Sequence, residues 1–97
     1  MEEHLYIVTY DIGDQKRWRA VFRLMNGYGE WVQLSVFQCR LSRKRHAEML
    51  ATLDEITDTK EDHVVIIDIG PVDSVRPKVI SYGKRTFEPI EREPLIV

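Results

Sequence analysis

One cysteine in 97 residues leaves Cys39 without an intrachain disulfide partner or a second thiol at metal-ligand spacing. A disulfide-stapled scaffold, a zinc ribbon and a dithiol redox centre are therefore excluded, and Cys39, inside an apolar run, reads as a small buried hydrophobe. No apolar run approaches the roughly 18 residues of a membrane span. The opening Met1-Glu2-Glu3-His4 has neither the basic start nor the apolar stretch of a secretion signal, so the expectation is a cytoplasmic chain with no membrane partner. Glycine and proline are few, 5 and 4, and no repeat or low-complexity segment occurs. No glycine-rich phosphate loop is present, because Gly27-Tyr28-Gly29 leads into a strand pattern and offers no helix N-terminus. Serine and cysteine lack a neighbouring histidine or an elbow motif, so nucleophilic catalysis has no support. His4, His46 and His63 fall on three different elements without the short spacing of a metal pair.

What is present is an ordinary globular composition, 43% hydrophobic and 31% charged, with a formal net charge of −2. Such balance excludes a disordered tail and a uniformly basic nucleic-acid-binding domain. A chain of this length builds one core and buries roughly 60–65% of the surface its unfolded form exposes, so a partner chain would add useful burial. The charge is nevertheless segregated. Residues 1–14 carry Glu2, Glu3, Asp11 and Asp14, a total of −4. Residues 15–46 carry Lys16, Arg17, Arg19, Arg23, Arg40, Arg43, Lys44 and Arg45 against Glu30, a total of +7. Residues 47–75 total −7 and residues 76–97 total +2. Segregation of this kind describes solvated helix faces, and equally a local field that guides an anionic polymer.

Residues 4–10, β-branched and aromatic, predict a strand that stops at Asp11-Ile12-Gly13-Asp14. From Gln15 onward Trp18, Val21, Phe22 and Met25 trace an amphipathic helix, with Asp14 as N-cap and Gly27 or Gly29 ending it through a positive φ. Residues 31–41 alternate as one long bent strand or two short ones. Ser42 predicts a second N-cap, followed by a helix whose apolar stripe is Ala47, Leu50, Leu53 and Ile56 and whose first turn, Arg43 to Arg45, is basic where the helix dipole disfavours positive charge. Val64 to Ile69 is apolar but for Asp68, which predicts a strand covered on both faces, a second copy of the chain supplying the second cover. Residues 78–82 predict a further short strand. The expected architecture is an α+β sandwich, a mainly antiparallel sheet with two helices on one face, in a domain of residues 1–83 with a tail, 84–97, ending Leu95-Ile96-Val97 and docking on its own or a partner's sheet.

Asp11, at the carboxyl end of the first strand, is the residue with chemical promise. A rigid scaffold holds it at the solvent, which suits a Mg²⁺ ligand, and it also fits a simple turn former. One carboxylate per chain is a poor ligand set, and a two-fold axis beside Asp11 would place two together. Arg17 and Arg19 suit phosphate binding or a solvated helix face.

The opening strand ending Tyr10-Asp11-Ile12, the helix start Asp14-x-Lys16-Arg17-x-Arg19 and the segment Tyr28-Gly29-x-x-Val32-Gln33-x-Ser35-Val36-Phe37 resemble the second core family of CRISPR-associated proteins, the Cas-two endoribonuclease family, over nearly the whole chain. The resemblance implies a ferredoxin-like fold and a two-fold homodimer whose C-terminal segments cross to the other protomer. It implies that Asp11 of each chain flanks a Mg²⁺ for phosphodiester hydrolysis, with Arg17, Arg19, Ser35 and Phe37 supporting activity or nucleic-acid contact. It further implies a role in spacer acquisition as a metal-dependent endonuclease on RNA or DNA, or as a scaffold holding the CRISPR integrase subunit on duplex DNA. Position 31, often Arg in the family, is Trp31 here, which suits packing or stacking on a base. Two rival readings are a toxin-like ribonuclease of the virulence-associated D family and a ferredoxin-like regulatory domain that binds a metabolite; the second has no use for the arginines.

Overall fold

The alternation of the first apolar run decides where the core lies. In β1 (Glu3–Asp11) Tyr6, Val8 and Tyr10 are buried, so Leu5, Ile7, Thr9 and Asp11 point to the other face. The computed structural model describes residues 2–83. Asp14 caps α1 (Gln15–Tyr28) by accepting the Arg17 N–H at 2.8 Å, and the stripe of Trp18, Val21, Phe22 and Met25 packs on the sheet as its spacing predicts. Two strands then form where the alternation allowed one or two: β2 (Gly29–Gln33) and β3 (Val36–Ser42). Leu34, at φ 44°, makes the reversal between them without a glycine. Ser42 caps α2 (Arg43–Ile56) by accepting the Arg45 N–H, and β4 (His63–Pro71) completes the sheet.

The sheet runs β2-β3-β1-β4, antiparallel at every pairing, with both helices against the face that carries Tyr6, Val8, Tyr10, Phe37, Cys39 and Leu41. This is the expected α+β ferredoxin-like sandwich. Cys39 is fully buried, and desolvation pushes its thiol up to about 12, which makes it inert packing.

Three sequence expectations are corrected. The first helix does not end through a positive φ: Gly29 sits at φ −160° in extended backbone. Glycine is needed there because a Cβ would meet the Gln38 carbonyl oxygen and lie 2.5 Å from Cys39 Sγ. The buried stripe of α2 runs through Met49 and Leu53, with Ala47 and Leu50 turned outward, because His46 stacks on Tyr6 at 4.3 Å between ring centroids and sets the rotation of the helix. Among the described residues β4 is covered on one face, where Val64 and Ile66 pack against the core, while Val65 and Ile67, 37% and 47% exposed, stand on the face that the sequence assigns to a second copy. Residues 78–82 form no strand, since no strand among the described residues pairs with them, and Val79, Ile80 and Tyr82 stand exposed. The tail, 84–97, lies outside the described residues. No helix of the described chain is long and apolar enough to cross a membrane.

At the end of β1 remote from Asp11, His4 Nδ1 lies 2.9 Å from Asp68 Oδ1 and His4 Nε2 lies 3.5 Å from Glu2 Oε1. The hydrogen bond with Asp68 raises the His4 pKa above its ordinary value. A raised pKa stabilises the fold below the unfolded value of about 6.5, and that contribution disappears as pH rises through the folded value. Denaturant titrations of the native chain and Asp68→Asn should therefore show a stability gap at pH 5.5 that closes by pH 9. A gap unchanged at pH 9 would count against the His4–Asp68 pairing.

Candidate active site at the end of the first strand

Asp11 is the last residue of β1 and lies on the sheet face that carries no helix. It is exposed, and its carboxylate makes no hydrogen bond or ion pair with any described residue. The carboxylates around it are already engaged. Asp14 caps α1, Asp58 accepts the Lys60 N–H at 2.8 Å, and Glu61 Oε1 lies 3.2 Å from Arg17 Nη2. Asp62, with its side chain 1% exposed, is the centre of this loop cluster. It accepts the Gly13 N–H at 2.9 Å, the Asp58 N–H at 2.8 Å, and Arg17 Nε and Nη2 at 2.9 and 3.2 Å. The Arg17 bond, joined by the two backbone donors, holds the Asp62 carboxyl well below the usual carboxylate range, and the same bond raises the Arg17 pKa. The turn that follows Asp11 is thus tied to the α2–β4 loop by a charge-assisted clamp.

Of the residues grouped with Asp11 by sequence, Arg17 is committed to this clamp. Ser35 and Phe37 brace the strand from the core side. The Ser35 carbonyl accepts the Tyr10 N–H at 3.1 Å, and Ser35 Oγ accepts the Trp18 indole N–H at 3.2 Å. The Tyr10 hydroxyl is buried beside Ser35 without a well-formed hydrogen bond, and desolvation raises its pKa. Phe37 is fully buried, stacked with Tyr10 at 6.3 Å and edge-on to Phe22 at 5.5 Å. Arg19 is exposed on α1 beside Lys16 and Arg23, on the helix layer. Trp31 is 42% exposed, and its indole N–H donates to the Leu34 carbonyl at 2.9 Å, closing the β2–β3 turn. Arg45 donates to the Gly27 carbonyl at 2.9 Å and lies over the Tyr28 ring, leaving Arg43 and Lys44 exposed at the start of α2.

Asp11 meets the donor requirement of a hard divalent cation, an exposed carboxylate with free lone pairs on a rigid strand end. Among the described residues no group of three or more ligating side chains assembles within one chain, so the remaining positions would fall to water or to a second copy. The face leading to Asp11 is mainly apolar: Ile7, Val36, Val65 and Ile67 share it by register with Thr9 and the buried Gln38, and the Glu3–Arg40 ion pair at 2.6 Å stands at its far end.

Two neighbours of Asp11 escaped the sequence. His63 is its Cα partner in the β1–β4 ladder, and Asp62 precedes it. Both stood at the edge of the predicted strand 64–69, and pairing that strand antiparallel with the first would have placed them here.

Residues 4–76 match the family described as CRISPR associated protein Cas2. The chain is 58% identical to the CRISPR-associated endoribonuclease Cas2 of Geobacter sulfurreducens, over 98% of this chain and 99% of that protein. It is 52% identical to a CRISPR-associated endoribonuclease Cas2 of Rhodospirillum rubrum, over 98% and 92% of the two chains. A crystal structure of Cas2 superimposes with a TM-score of 0.72 at 30% identity, covering 91% of this chain and 98% of the other. Family model, relatives and solved structure agree, and the chain belongs to the Cas2 family of CRISPR-associated proteins.

Proposed function

We propose that the chain works as a homodimeric, divalent-metal-dependent endonuclease on RNA or DNA phosphodiesters within CRISPR spacer acquisition, alongside the CRISPR integrase subunit. The observation that carries this reading is the unengaged Asp11 carboxylate at the rim of a mainly apolar sheet face on which the described residues leave Val65 and Ile67 exposed. Two-fold pairing through that face buries Val65 and Ile67 and brings the two Asp11 carboxylates toward one axis. The exposed apolar residues Val79, Ile80 and Tyr82 find a partner edge in the same dimer. Asp11 of each protomer would hold a Mg²⁺, which when bound would supply Lewis-acid chemistry and a more acidic water. The chain supplies the rest. Asp11 fixes the cation against the sheet, Ser35 and Phe37 hold the strand end from beneath, the Arg17 clamp orders the turn beyond it, and Arg19 meets a phosphate of the polymer.

The exposed bases Lys16, Arg19, Arg23, Arg43 and Lys44 favour a second use of the same dimer, as a scaffold for duplex DNA. Contacts of that kind go to phosphates and are salt-sensitive and blind to sequence.

The test is cleavage of single-stranded RNA and of duplex DNA by the native chain and Asp11→Asn, with Mg²⁺ and with chelator, beside a mass measurement in solution. The expected result is a dimer whose activity falls by about 10²–10³-fold, the loss of several kcal/mol of transition-state stabilisation, both in the variant and on chelation. Because Asp11 is exposed and unbonded, the variant keeps its fold. Equal activity in the two proteins, or a stable monomer, overturns the reading.

A further inference from the structure

No two histidines stand at metal-pair spacing along the chain, but the sheet register places His63 beside Asp11. Asp11 and His63 are directly opposite at the last position of the β1–β4 ladder. The preceding pair, Tyr10 and Val64, faces the core, so alternation turns Asp11 and His63 together onto the face that carries no helix. Both are exposed, and neither side chain bonds to another described residue. Directly opposite residues of an antiparallel pair hold their Cβ atoms about 4.5–5.5 Å apart, close enough for an imidazole nitrogen and a carboxylate oxygen to reach one ion at the ~2.0–2.2 Å of first-row metal bonds. Asp62, Glu61 and Asp14, the other carboxylates nearby, are held by Arg17 and backbone N–H groups and do not compete for that ion.

We propose that His63 is a cation ligand alongside Asp11, so that this member of the family has a mixed nitrogen and oxygen site. This inference rests on the reading of Asp11 as a cation ligand. An all-carboxylate site suits Mg²⁺, which prefers oxygen and keeps its waters. An imidazole nitrogen moves the preference toward Mn²⁺ and the later first-row divalent ions. Each protomer contributes two donors, and two-fold pairing through the apolar face gives four.

The probe is Mn²⁺ on the full chain, followed by pulsed electron paramagnetic resonance for nitrogen coupling and by titration for affinity. The native protein should show imidazole nitrogen modulation on the bound Mn²⁺. His63→Gln should abolish that modulation and weaken Mn²⁺ about tenfold, while Mg²⁺ competition shifts by no more than about twofold. His4→Gln and His46→Gln should leave the modulation intact. Bound Mn²⁺ without nitrogen modulation in the native protein, or modulation that survives in His63→Gln, overturns the assignment of His63. If Asp11→Asn loses Mn²⁺ while His63→Gln binds as the native chain does, the His63 assignment alone fails. If Asp11→Asn binds Mn²⁺ unchanged, the Asp11 reading fails and takes His63 with it.

Discussion

Phe37→Ala should cost about 3–5 kcal/mol of folding stability, a large fraction of the roughly 5–15 kcal/mol that holds a small domain together. Phe37 is fully buried and its ring bridges Tyr10 on β1 and Phe22 on α1. Removal therefore strips the lost transfer energy and leaves a cavity between sheet and helix that neither neighbour can fill without leaving its rotamer. Family resemblance attaches Phe37 to activity, and the geometry says how such an effect travels. The ring cannot reach a polymer on the surface, but it props Tyr10, the residue before Asp11. Phe37→Leu keeps most of the volume and should cost on the order of 1 kcal/mol. The check is urea denaturation of both variants with cleavage measured per folded molecule. Near-native activity per folded Phe37→Leu is the expected outcome; a collapse of activity in a stably folded Phe37→Leu would mean that the ring meets the substrate after all.

The periodic elements were legible and the long-range ones were not. The strand of residues 4–10 and the Trp18-Val21-Phe22-Met25 stripe were read correctly because each carries its own period, and Asp14 and Ser42 because a cap is a local bond. The β2–β3 break stayed ambiguous, since its turn is made by Leu34 at φ 44°, a residue type that signals no turn. In α2 the sequence offers two apolar faces, through Leu50 or through Met49. The choice between them is made by the stacking of His46 on Tyr6, 40 positions away. Asp11 was visible as a strand end. His63 was not visible beside it, because ladder register is a tertiary fact. Arg17 shows a different limit: a basic residue near a helix start has the same appearance in a sequence whether its partner is a phosphate or, as here, Asp62 and Glu61.

Asp62→Ala should lower the melting temperature on the order of 10 °C and loosen the site before it unfolds the chain. The Asp62 side chain is almost wholly shielded and accepts four hydrogen bonds, two from Arg17 and one each from the Gly13 and Asp58 N–H groups. Truncation orphans two backbone donors and leaves the Arg17 guanidinium with Glu61 and a longer contact to Asp14. Gly13 is two residues past Asp11, so the turn that continues the candidate site loses its anchor while the Phe37 side of the strand stays packed. The pH dependence carries the sign of a depressed carboxyl pKa. Such a group stabilises the fold above its unfolded value of about 3.9, and the contribution is lost as pH falls through the folded value. The stability gap between the native chain and Asp62→Asn should therefore be full at pH 7, begin to close near pH 4 and continue closing in stronger acid. Thermal melts across that range measure it, and hydrogen exchange at the Gly13 and Asp58 amides reports the tether directly. Faster exchange at both in Asp62→Asn is expected. Native protection at those two amides would remove the clamp from the explanation of how Asp11 is held.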